Sequence, residues 1–61
     1  MHEIYSFDEI KSYKIAVTML SDGEFEGICY QDHPHHPFRT VFGGNGEAVR
    51  QELIVAARSA K

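Results

Sequence analysis

Cysteine is nearly absent from this chain, with one (Cys29) in 61 residues, and tryptophan is missing altogether. A lone cysteine makes no internal disulfide, whereas small secreted domains normally carry several. No apolar run approaches the ~18 residues of a membrane-spanning helix. The opening residues Met1-His2-Glu3-Ile4-Tyr5 have neither the basic nor the apolar segment of a signal peptide. The expectation is a cytoplasmic protein with no membrane contact. Length is the next scarcity: 61 residues fit one domain with a thin core. That excludes a multidomain enzyme or a dinucleotide-binding unit. It also leaves little volume for a water-excluded pocket, so no catalysis, cofactor or small-molecule substrate is expected. Positive charge is short too, with six Lys and Arg against nine Asp and Glu, a net charge of −3. This disfavours nonspecific nucleic-acid binding, which needs clustered cations. The acids concentrate in residues 1–32, where seven stand against Lys11 and Lys14.

The clearest pattern is alternation. In Tyr13–Leu20 the residues Tyr13, Ile15, Val17 and Met19 fall on one side, as in a half-buried strand. Ser21-Asp22-Gly23 follows, then a second alternating run, Glu24–Tyr30. Asp-Gly between two such runs signals a hairpin. The turn length decides which residues share a face, because a slip of one residue inverts a strand. A three-residue turn with Gly23 in the left-handed conformation groups Ile15, Val17, Met19, Phe25 and Cys29. It leaves Lys14, Ala16, Thr18, Leu20, Glu24, Glu26, Ile28 and Tyr30 on the outer face.

Gln31–Pro37, with both prolines, reads as a loop. Phe38–Phe42 reads as a third strand, with Phe38, Thr40 and Phe42 facing in and Arg39 and Val41 out. After the break at Gly43-Gly44-Asn45-Gly46, a helix is predicted over Glu47–Ala60. Asn45 is its N-cap, and its apolar stripe runs through Val49, Leu53, Ala56 and Ala60, widened by Ile54 and Ala57. The start is open between two readings. Ser6-Phe7-Asp8-Glu9 fits a capping box before a short helical turn, and a strand through Ile4 and Phe7 fits as well. The predicted fold is α+β: a three-stranded antiparallel sheet with a C-terminal helix packed on one face, as a single domain over 1–61.

The order of elements resembles the double-stranded-RNA-binding domain. Phe42-Gly43-Gly44-Asn45-Gly46-Glu47-Ala48-Val49-Arg50 looks like that family's glycine-rich entry into its last helix, and Val55-Ala56-Ala57-Arg58-Ser59-Ala60 fits too. The resemblance implies a fold and not an activity. Lysines grip phosphates at that helix start in the family, and here Gly46 and Glu47 stand in those places. The Asp-Gly hairpin and closing helix also look similar to antitoxins of the HicB type.

The most unusual segment is Asp32-His33-Pro34-His35-His36-Pro37. Three imidazoles beside an aspartate and near Cys29 suggest metal ligation, although the spacing matches no standard zinc module. A solvated polar loop is the simpler expectation. Cys29 with one of these histidines would make a nucleophile–base pair, but a mid-strand cysteine is expected to be inert. Glu24 and Glu26 read as solubility charges, and Gly43–Gly46 reads as a helix cap lacking the phosphate-loop ending.

The better candidate is the outer sheet face, with Ala16, Ile28, Tyr30 and Val41 as an apolar strip rimmed by Lys14, Glu26 and Arg39. The leading expectation is a small non-enzymatic protein-binding module. It would act by surface contact as an inhibitor or accessory protein of phage or mobile-element type, with another protein or a second copy as partner. Its contact residues would be Ala16, Glu24, Glu26, Ile28, Tyr30, His33, His35, His36, Arg39 and Val41. Two alternatives stand beside it. One is nucleic-acid binding through the C-terminal helix and histidine loop, and the other is a metal site at His33, His35 and His36.

Overall fold

The computed structural model describes residues 3–32 and 35–60. Four strands, β1 (Glu3–Ile10), β2 (Tyr13–Met19), β3 (Phe25–Tyr30) and β4 (Arg39–Gly43), pair antiparallel in the order β1-β2-β3-β4, and one helix, α1 (Gly46–Ser59), follows. The α+β class, the antiparallel sheet and the C-terminal helix are as the sequence implies. The sheet has four strands rather than three, because the N-terminal segment is a full strand and not a helical turn. The resemblance to the double-stranded-RNA-binding domain therefore fails at the start of the chain, where that family has a helix.

The β2–β3 hairpin has the expected turn. Gly23 has φ +86°, its N–H donates to the Leu20 carbonyl at 3.2 Å, and the Leu20 N–H donates to the Glu24 carbonyl at 2.7 Å. The Asp22 carboxylate also accepts from the Glu24 N–H at 3.0 Å. The left-handed glycine lets three residues close the loop, and Met19 then pairs with Phe25. The β1–β2 hairpin is tighter. Lys11 and Ser12 alone link the paired residues Ile10 and Tyr13, and Lys11 takes φ +57° without being glycine. A β-bulge between Ile4 and Ser6 shifts the β1 register.

The core lies between the sheet and α1. Ile15, Val17 and Cys29 come from the strands and Val49, Leu53, Ile54 and Ala57 from the helix. Ile10, Tyr13, Phe25 and Val41 pack around them. Asn45 caps the helix as predicted, its side-chain oxygen accepting from the Glu47 and Ala48 N–H groups at 3.0 and 3.2 Å. Leu53 lies over Gly27.

The assignment of faces in β4 is inverted relative to the sequence reading. Val41 pairs with Gly27 and packs against the core, while Thr40 pairs with Ile28 and Phe42 with Glu26 on the opposite face. Arg39 pairs with Cys29 and so belongs to the helix side, not the outer rim. The physical reason is the close approach of the helix at Gly27. Val49 and Leu53 occupy the space a side chain would take there, so the β4 position paired with Gly27 lies beside the helix, and Val41 fills it.

Candidate functional site

Among the described residues, one helix covers one face of the sheet and leaves the other bare. Register alone places the residues on the bare face. Its central row runs Phe7, Ala16, Ile28, Thr40 across β1 to β4. No member of that row is charged. On one side lies Ile4, Thr18, Glu26, Phe42, and on the other Glu9, Lys14, Tyr30. Phe7, Phe42 and Ile4 are the exposed anchors, at 53%, 60% and 69% of their full area. Single apolar residues on a surface are ordinary, but here several large ones converge around one uncharged row, as interfaces do.

Of the predicted contact residues, Ala16, Glu26, Ile28 and Tyr30 do share this face. Glu24 sits at the end of the β2–β3 turn and is exposed. Val41 and Arg39 do not belong to the face, as described above. Three of its large residues, Ile4, Phe7 and Phe42, were not in the predicted strip. The bulge hid the first two, since an extra residue turns an i, i+2 spacing into i, i+3 and breaks the alternation. Phe42 was hidden by the inverted parity of β4.

The histidine segment contributes less. His33 lies outside the described residues. His35 and His36 are exposed in the turn before β4. Among the described residues no three His, Cys, Asp or Glu side chains converge as a metal would need. Cys29 is fully buried on the core side. Burial raises its thiol pKa, opposed in part by the Arg39 charge, so it is held as the inert thiol.

His36 does line a small open cavity of about 270 Å³ with Tyr13, Gln31 and Phe38. Tyr13 and Phe38 pack there at 5.1 Å between ring centroids, tilted by 45°. The Gln31 amide donates to Ser12 Oγ at 2.8 Å, tying the segment after β3 to the first turn. The cavity is below the ~300 Å³ of ordinary ligand sites.

Three of the cations are paired within the molecule. Arg50 donates to both Asp8 oxygens, at 2.7 and 3.0 Å, and to Glu47 at 2.8 Å. Lys11 Nζ donates to the Arg58 and Ala60 carbonyls at the helix end. Lys14 lies 3.8 Å from Asp32. No described helix is long and apolar enough to cross a membrane. Compared with protein-family models, curated proteins and solved structures, the chain matches none of them.

Proposed function

We propose that this protein is a non-enzymatic contact module that works through the bare face of its sheet, against a flat apolar protein surface. The observation that supports this reading is the convergence of Ile4, Phe7, Ile28 and Phe42 around a central row with no charge. Covering that row removes apolar area from water, which is the main favourable term in association. Glu9, Lys14 and Glu26 flank it as a polar rim, the usual arrangement of an interface. An inhibitor or accessory subunit needs no more than this.

The internal pairing of Arg50, Lys11 and Lys14 works against the nucleic-acid alternative, because among the described cations it leaves Arg39 and Arg58 alone to follow a phosphate backbone. The exposed position of His35 and His36 and the burial of Cys29 likewise work against a shared metal site.

The reading is tested by placing a photo-crosslinking phenylalanine analogue at position 7, 42 or 55 in the cell that makes the protein. Val55 is an exposed apolar residue on the helix and serves as the control. Protein adducts from positions 7 and 42, absent from 55 and suppressed by Ile28→Glu, are expected. Adducts from none of the three positions, or from all three alike, overturn the reading.

A further inference from the structure

Building on the contact face proposed above, we infer that its occupant is a second copy of this chain, stacked sheet to sheet about a two-fold axis that runs parallel to the strands between β2 and β3. A two-fold interface demands self-complementarity: wherever i meets j, j must meet i. This axis exchanges β1 with β4 and β2 with β3. Along the central row it sets Phe7 of one copy over Thr40 of the other and Ala16 over Ile28, so that each large side chain meets a small one. In the flanking rows Ile4 meets Phe42, Thr18 meets Glu26 and Lys14 meets Tyr30. An in-plane axis across the strands would instead set Phe7 on Phe7 and Ala16 on Ala16. Large would then meet large and small meet small, leaving gaps between the sheets.

Size agrees with this. Four strands of five to eight residues give a face of about 300–500 Å², the size of a weak, exchanging contact rather than a permanent one. The sheet edges are poorer candidates for self-pairing. β1 is bent by its bulge and carries Glu3, Asp8 and Glu9, and β4 has only five residues. Bulges, charges and shortness are what blunt an edge. The product is a β-sandwich with a helix on each outer side.

Sedimentation of the full chain from micromolar to millimolar concentration tests the inference, with circular dichroism checking that each variant folds. The unmodified protein should sediment as a dimer in rapid exchange with monomer. Ile28→Glu should weaken self-association about 30-fold or more, the usual effect of losing a central anchor. Thr40→Lys, on the exposed edge strand, should act the same way, and it stands in if Ile28→Glu does not fold. Ala16→Ile alone should weaken the dimer by overfilling the space opposite Ile28. Ala16→Ile with Ile28→Ala should restore it, since the large–small pair is only exchanged. A monomer throughout the range overturns the second copy as occupant. In that case crosslinks from positions 7 and 42 to a different protein would still support the contact reading, so the two failures are distinct. A dimer indifferent to Ile28→Glu and Thr40→Lys, or a swap that fails to restore association, overturns this arrangement.

Discussion

Asp8 on the edge strand and Arg50 on the helix, 42 residues apart in sequence, meet in a two-pronged ion pair with N–O distances of 2.7 and 3.0 Å. Each side chain keeps about a quarter of its surface in water, 23% for Asp8 and 28% for Arg50. The geometry is the fork-to-fork one that fixes orientation as well as charge. It fastens β1, the strand with least helix contact, to α1.

The pair predicts the acid behaviour of the fold. The Arg50 hydrogen bond holds the Asp8 carboxyl below its ordinary pKa, with burial opposing and the Arg50 charge assisting. A depressed carboxylate contributes stability above its unfolded pKa, about 3.9, and loses it as pH falls through the folded value. Urea unfolding from pH 7 down to pH 2 should therefore show stability falling at the acid end. Asp8→Asn should be less stable at neutral pH and should flatten that fall. It should not abolish it, because hydrogen bonds from Gln51 and then the Arg50 charge lower the Glu47 carboxyl as well. An Asp8→Asn curve parallel to the unmodified one would show that the pair does not couple to folding.

At Gly27 the sheet and the helix approach closely. A methyl group there would come within 2.5 Å of Leu53 Cδ1 and closer still to Val49 Cγ1, whereas at Gly44 it would meet nothing within 4 Å. Gly27→Ala should cost roughly 1–3 kcal/mol by overpacking, and Gly44→Ala should be close to neutral. Chemical denaturation of the two variants side by side checks this. Equal midpoints would mean that the helix can lift from the sheet without cost.

How much of this was legible in the sequence depends on how local the determinants are. The β2–β3 hairpin was readable because alternation and Asp22-Gly23 act within a dozen residues, and the helix because Asn45 and the stripe through Val49 and Leu53 are local too. β1 was not settled. Its bulge at Tyr5 gives Ile4 and Phe7 a helix-like spacing, and Ser6 with Glu9 mimics a capping box. β4 has apolar residues on both parities, so its own five residues cannot choose a face. The choice is made by Gly27 on the next strand, through a helix that begins later in the chain. The contact face inherits both difficulties. Its centre, Ala16 and Ile28, was legible from the hairpin, and its outer columns, Phe7 and Phe42, were not.

Leu53 is fully buried in the middle of the helix stripe, among the strand residues beneath it. Leu53→Ala should cost about 2–5 kcal/mol, through lost transfer energy and the cavity left behind. That is a large share of the stability of a small domain, so thermal melting should shift downward by many degrees or lose its cooperativity. Val55→Ala, at an exposed helix position, should leave the melt almost unchanged. Similar shifts for the two variants would show that the buried stripe is misassigned.

Lys11 combines two opposing effects in one residue. Its backbone sits at φ +57°, a region that costs a side-chain-bearing residue about 1–2 kcal/mol and glycine almost nothing. Its ammonium donates to the last carbonyls of α1, at 3.0 Å to Arg58 and 3.3 Å to Ala60. Those carbonyls have no partner within the helix, and a cation there also meets the negative end of the helix dipole. Two substitutions separate the effects. Lys11→Met keeps a long side chain and the strained backbone but removes the donor, so it should be destabilising. Lys11→Gly removes the donor and the strain together, so it should be more stable than Lys11→Met by about 1 kcal/mol, although glycine is usually the worse residue within regular structure. Raising the salt concentration should narrow the gap between the unmodified protein and Lys11→Met, because the dipole interaction is screened. It should leave the gap between the two variants unchanged, because backbone strain is not electrostatic. Denaturant midpoints at low and high salt check both. A glycine variant no more stable than the methionine one would show that the first turn is not strained.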